Sequence, residues 1–366
     1  SLINEPTGAN GIAQAVSTSI TVNNLNADAR YVSLAEAGNS ISNVAGRNYA
    51  GTFDVRTSGA MTINTVDGVA GLIASTTGGI TVQAGGVITI NGNISATSAT
   101  ATMTGGGITL NSTRTINAGG VSLNAGGGVM SLGLGSLTAS GTVQLSNAAT
   151  TTLGAISALA GDLVLDNISG GIVQQVGSSV AAGLLSGSGN SGVINLSNTG
   201  NAFTSIGTLS TTGGGLTVVD QSGNLDITGN VTTGTGIINI RTPGNLTQSQ
   251  IITSAATGDA LVLSAGGNYI NSVGATALSA ANGRWVVYST NPANNNFNGL
   301  SSGNSAVYNA TYAGNAPGTL AAGNRYVFSF QPTANITANA QTREYDGNTN
   351  FAPVTHTVTG LVNAST

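Results

Sequence analysis

Lysine and cysteine are absent from this 366-residue chain, and charge of either sign is scarce. All eight basic residues are arginine, against twelve acids, and charged residues make up 5% of the chain where roughly 25% is usual. With a net charge of −4 and scattered arginines there is no basic stripe to follow a phosphate backbone, which argues against nucleic-acid binding. Without cysteine there is no thiol nucleophile, no Cys-ligated zinc and no disulfide frame. A single histidine, His356, leaves little for general-base or metal chemistry. No run of about 18 apolar residues marks a membrane-spanning helix. The chain opens Ser-Leu-Ile-Asn-Glu-Pro, with neither an initiator methionine nor a signal-peptide pattern, as expected for a piece of something longer.

What is abundant is glycine, 55 residues, with Ser, Thr, Asn and aliphatic side chains. Hydrophobic residues make up 40%, and the mean hydropathy is positive, so the chain has material for a core and does not read as disordered. Its polar surface must then come from hydroxyls and amides.

Short β-type runs recur, each bounded by Gly or Asn: Ile80-Thr81-Val82, Ile108-Thr109-Leu110, Val121-Ser122-Leu123, Val143-Gln144-Leu145 and Leu163-Val164-Leu165. The series continues through Val193–Leu196, Leu216-Thr217-Val218, Ile237–Ile240 and Leu261-Val262-Leu263. The mean spacing is about 23 residues, with single gaps from about 13 to about 30, in the range of stacked repeats. Apolar residues alternate within each run, the period of a half-buried strand, and no window sustains a helical period. Strands of about three to five residues are expected, with Gly-Gly, Asn-Gly and Ser-Gly pairs supplying positive φ angles at the corners.

A longer repeat supports this. Leu34–Val44 aligns without gaps on Leu196–Ile206, and after a slip of two positions Gly59–Ile63 aligns on Gly223–Ile227. The expected fold is all-β, a right-handed parallel β-helix, a solenoid of about 14 coils and about 65–70 Å of rod at the usual layer spacing. Like side chains should stack in ladders. Charges would stack badly, a physical reason for their scarcity.

The expected organisation is 1–280 as β-helix shaft, 281–331 as an aromatic-rich cap or junction, and 332–366 as the start of an incomplete β-domain. Trp285, Tyr288, Phe297, Tyr308, Tyr312, Tyr326, Phe328 and Phe330 gather in the middle segment, where a solenoid needs its open end covered.

Three phrases there, Gly283–Ser289, Tyr308–Tyr312 and Gly323–Phe328, resemble a recurrent segment of filamentous-haemagglutinin-like exoproteins. Glu344-Tyr345-Asp346-Gly347-Asn348-Thr349 is similar to the opening of a YDG domain, and Thr65–Gly71 to shaft repeats of that family. The resemblance implies a Gram-negative protein exported by two-partner secretion through an outer-membrane transporter barrel. It also implies display at the outer cell surface or release outside the cell. There it would act in adhesion, aggregation or biofilm formation, meeting a host or neighbouring-cell surface or a matrix polysaccharide; separately, the residues themselves call for no cofactor. Two departures stand out: no N-terminal secretion domain is recognisable, and the YDG unit is incomplete.

Three functions follow as expectations: an adhesive rod, a self-assembling extracellular filament whose rods join end to end, and a polysaccharide-active β-helix enzyme. For the last, the nearest acid pairs are Asp162 with Asp166 and Asp220 with Asp226. Asp162 and Asp220 sit at turn-like corners, and His356 has only Glu344 and Asp346 nearby in sequence. No catalytic, cofactor or metal residue is assigned. Gly126–Gly128 and Gly213–Gly215 lack the Lys-Ser/Thr of a phosphate loop, and the calcium-binding pattern G-G-x-G-x-D is missing. Thr-x-Thr phrases such as Thr100-Ala101-Thr102 do not repeat at coil spacing, against an ice-ordering face. The rings around Trp285 read as an end cap before a carbohydrate platform.

Overall fold

In the computed structural model the described residues are 10–342, apart from 76 and 305, with 344–347, 355–360 and the backbone of Leu2–Ile3. The chain is 56% strand and winds as parallel stacked coils into a β-solenoid of about 14 turns. One coil shows the plan. Leu72–Ala74, Ile80–Ala84 and Ile88–Ile90 form three successive faces, and the next coil restarts at Ile94. The layers are in register: Leu72 lies against Ile94, Ile80 against Ala101 and Ile88 against Ile108.

Alternation within each strand turns every second side chain inward, and stacking makes columns of them. On the third face one column runs Met61, Ile88, Ile108, Met130, Thr151, Ile172, Ile194, Leu216, Ile238, Leu261 and Trp285. All are buried. Each step along it is one coil, and the steps are more even than those of the sequence series. The uneven gaps in that series arise because its motifs pass between faces: Ile80 and Val121 sit on the second, Ile108 and Leu216 on the third. The one long step, Met61 to Ile88, holds an inserted hairpin, Thr65–Val66 against Val69–Ala70. Asp67 and Gly68 at its tip both take positive φ, 49° and 78°, as a two-residue turn of this kind requires.

Strand lengths differ from expectation. Ala155–Ile168 and Ile252–Ala265 each run 14 residues, because the ladder continues around a corner instead of breaking. Small residues make this possible, with a register shift between Ala158 and Asp162 marking the bend. The corner glycines also serve a different end in part. Gly126 and Gly127 have positive φ, as expected. Gly192, Gly214 and Gly236 do not, yet they stack so closely that a Cβ on Gly214 would lie 2.2 Å from the carbonyl carbon of Gly192.

The duplicated unit has a structural cause. Asn39 is buried at a corner, donating from Nδ2 to the Leu34 carbonyl at 3.0 Å and accepting the Ile20 N–H at 2.8 Å. Asn201 does the same for the Leu196 carbonyl at 3.1 Å and the Val180 N–H at 2.9 Å. Each also makes a reciprocal amide pair with a glutamine one coil below, Gln14 or Gln174. The alignment then holds across layers, since Val44 pairs with Ile63 and Ile206 with Ile227. The second coil is longer by the two positions of the slip.

Thr151 is the one hydroxyl in the column from Met61 to Trp285. It is buried between Met130 and Ile172, and its Oγ1 finds no protein partner. Valine matches its shape without the desolvated hydroxyl. Thr151→Val is therefore expected to raise stability by about 1 kcal/mol, read as a higher denaturation midpoint. A lower midpoint would refute this account of the column.

Outward columns carry the ladders of hydroxyls. Thr62, Thr89, Thr109, Ser131 and Thr152 stack in five consecutive layers. Single threonines thus do recur at coil spacing, although Thr-x-Thr pairs do not. Among the described residues opposite charges stack in register in two places, Asp28 beside Arg47 and Asp259 beside Arg284. Asp54 stands between Ser33 and Thr81. Burial raises its pKa, with Arg56 opposing, and its Oδ1 has no hydrogen-bond partner. A carboxyl raised in the folded state stabilises most below its unfolded pKa and loses that contribution as pH rises through the folded value. Acidification from neutral pH should therefore strengthen this layer. Asp54→Asn should flatten that part of the stability profile, measured by denaturation at about pH 7 and about pH 4.5.

Candidate functional site

Near its C-terminal end the rod gains a folded-back segment. Leu278–Ser289 continues the ladder, and Arg325–Phe328 lies on it with Val286 against Arg325 and Ser289 against Phe328. The chain between them makes two short 3-10 turns, Pro292–Asn294 and Pro317–Thr319. Rings fill the space this leaves. Trp285 meets Tyr326 edge-on with centroids 4.9 Å apart, and Phe297 lies 4.4 Å from Tyr326. Tyr308 and Phe328 are 5.5 Å apart. Trp285, Tyr326 and Phe328 are buried, so their faces pack the rod's interior and are not open as a sugar platform. Burial also raises the pKa of Tyr269, Tyr288 and Tyr326 well above the usual phenol value, keeping all three neutral.

Arg284 fastens the returning segment. Its Nε donates to Asp259 Oδ1 at 2.6 Å, and its Nη atoms donate to backbone carbonyls including those of Pro317 and Ala321. Tyr288 adds a hydrogen bond from its hydroxyl to the Asn315 carbonyl at 2.7 Å.

Between this segment and the rod lies a groove of about 340 Å³, at the lower end of the range for small-ligand sites. Its floor is an outward column in register, Val219, Arg241, Ser264 and Tyr288. Its wall is Ala310 to Ala313. The Arg241 guanidinium carbon sits 4.7 Å from the centroid of the Tyr312 ring, within cation–π range. Tyr312 is held in turn, its hydroxyl accepting from Asn239 Nδ2 at 3.1 Å.

Asp220 also borders the groove, but its carboxylate is committed to the corner. Oδ1 accepts from the Phe203 N–H at 3.0 Å, the Ser222 N–H at 3.1 Å and the Ser222 hydroxyl at 2.6 Å. Oδ2 accepts from the Thr242 hydroxyl at 2.9 Å. Asp226 is exposed on a strand opposite Ser205 and Thr247. Asp162 and Asp166 lie on one strand, four positions apart, roughly 13 Å by strand rise. That exceeds the roughly 5–9.5 Å that carboxylate pairs use in glycoside hydrolysis. Asp166 instead accepts from the Ser188 N–H and hydroxyl. His356 is exposed in a small antiparallel pair, Asn335–Ala338 with His356–Thr359, opposite Ala338. Of the YDG-like phrase, Asn348 and Thr349 lie outside the described residues. Among the described residues, no three His, Cys, Asp or Glu side chains converge as a metal site.

Sequence reasoning passed over Arg241. Nothing in Ile-Asn-Ile-Arg-Thr distinguishes it, and Tyr312, its ring partner, lies far downstream in the chain. The only available signal was an arginine at an outward strand position in a chain where basic residues are rare.

The fold defines the chain as a parallel β-solenoid protein. Comparison with protein-family models, with curated proteins and with solved structures returns no match.

Proposed function

We propose that the chain is a non-catalytic structural and adhesive rod of a secreted bacterial surface protein, holding a binding region away from the cell. The observation that carries this is the parallel stack of about 14 turns, cored by aliphatic columns and nearly free of charge. Away from the returning segment each coil stacks only on its neighbours, so length is added without changing cross-section, which is what a spacer needs. Display outside a Gram-negative cell, export through a transporter barrel, and roles in adhesion or biofilm formation come from the resemblance to filamentous-haemagglutinin-like exoproteins.

The second reading is a filament of rods joined end to end, a homopolymer. At the C-terminal end the outermost paired strand, Val307–Tyr308, is two residues long and followed by Asn309 at φ 53°, while Leu278–Gly283 pairs with the coil below and with no described strand beyond it. The short strand offers little backbone for strand addition, which leaves Leu278–Gly283 as the part of that end where a second rod would join. A polysaccharide-active enzyme is the third, and the spacing and commitments of the aspartates speak against it. Electron microscopy of purified native protein tests the first reading: isolated rods with segments of about 70 Å are expected, and indefinite fibres with a subunit repeat would favour the filament. Turnover in a polysaccharide-depolymerisation screen, abolished by Asp→Asn changes, would overturn the non-catalytic reading.

A further inference from the structure

We propose that the groove over Arg241 is a binding site for a carboxylate-bearing polysaccharide, a uronate chain lying along the rod. The groove is built from both the solenoid and the returning segment, and its hydrogen-bonding groups divide into two sets. One set is spent on the protein. The Asp220 oxygens, the Thr242 hydroxyl and the Thr290 hydroxyl, which donates to the Gly267 carbonyl at 3.1 Å, all hold corners in place. The other set is unspent. Arg241 makes no ion pair or hydrogen bond through its side chain to the described residues, and its Nε is buried without an acceptor. Ser264, Ser329 and Gln221 border the same groove with no side-chain bonds to the described residues.

An arginine held over a tyrosine ring has its fork of donors confined beside that ring, and the acceptor that satisfies such a fork best is a carboxylate, held by two parallel bonds. Asp220 does not supply it, since both its oxygens already face the chain. The surrounding hydroxyls and carboxamide match sugar hydroxyls. A peptide suits the groove less well. Peptides in grooves gain much of their affinity from backbone pairing at a strand edge, and the strands of this floor have their backbone groups engaged with the layers above and below. The groove is also elongated. Its floor crosses four consecutive layers, roughly 14 Å between the outer two, so successive saccharide units can lie along the axis with one carboxylate at Arg241. The site would serve a stalk or a filament equally, so its failure would leave the proposed rod untouched.

The test is calorimetric titration of the full chain with oligogalacturonate, its methyl ester and polyglutamate. Oligogalacturonate should bind, with the methyl ester and polyglutamate each at least tenfold weaker. Arg241→Gln should cut oligogalacturonate affinity at least tenfold while leaving the denaturation midpoint in place. Arg114→Gln, at an exposed arginine elsewhere on the rod, should leave affinity unchanged and so excludes a general charge effect. Equal binding by the ester would overturn the carboxylate. Equal binding by polyglutamate would overturn the saccharide. Undiminished binding by Arg241→Gln, or no binding at millimolar oligogalacturonate, would overturn the site.

Discussion

Adding one methyl group at Gly236 should cost on the order of 3 kcal/mol or more, while the same change at Gly59 should cost less than about 0.5 kcal/mol. The difference comes from what lies beneath. A Cβ on Gly236 would stand 2.0 Å from the Gly214 carbonyl oxygen, 2.3 Å from its carbon and 2.4 Å from the Gly215 nitrogen. All three are backbone atoms of the coil below, already fixed in the ladder, so no side chain can swing aside. The layers must part or the corner must shift, and either costs hydrogen bonds in two coils. Around Gly59 there is nothing within 4 Å. Because the Gly236 coil leans only on its neighbours and on Tyr312 of the returning segment, the damage should stay local. Hydrogen exchange on Gly236→Ala should show lost protection in the layers about Leu216 and Ile238, with the layers near Ile88 unchanged. Equal midpoints for the two alanine variants would remove close stacking as the reason for glycine at these corners.

Asp220→Ala should be the other severe change, costing on the order of 3–5 kcal/mol. Asp220 is 1% exposed, and its carboxylate gathers donors from three successive coils: Phe203, Ser222 and Thr242. Removing it strands the buried Phe203 N–H, and an unmet buried donor costs about 1–3 kcal/mol by itself. Asp220→Asn keeps one acceptor oxygen for Phe203 and Ser222 but turns an amide toward the Thr242 hydroxyl, which can re-aim. It should fall between wild type and alanine. Denaturation midpoints of the three proteins give the ranking, and an alanine variant as stable as wild type would show that Asp220 does not hold this corner.

The same residue illustrates what was legible beforehand. A lone aspartate beside glutamine and serine reads as a corner, and it is one. The sequence could not show that the corner is closed by a backbone N–H from the coil below and a hydroxyl from the coil above. The Gly-Asn repeat was legible for a comparable reason. Asn39 and Asn201 occupy the same environment twice, so their neighbours had to match. Their partners Gln14 and Gln174 lie outside the aligned segments, where no repeat marks them.

Local pattern alone determined that the chain is all-β, built of short alternating runs, wound with a short repeating period and nearly uncharged. Each of these follows from a residue's immediate neighbours: alternation sets which side chains turn inward, glycine sets where the path bends, and stacking like on like disfavours charge. The tertiary structure decided which runs share a face, which glycines are needed for contact and not for φ, and which arginine faces a groove. Those depend on the coils above and below, each a full turn away along the chain, and on a segment that returns over earlier layers. Arg241 and Tyr312 meet because the chain folds back past the end of the ladder, a path that no spacing of residues records.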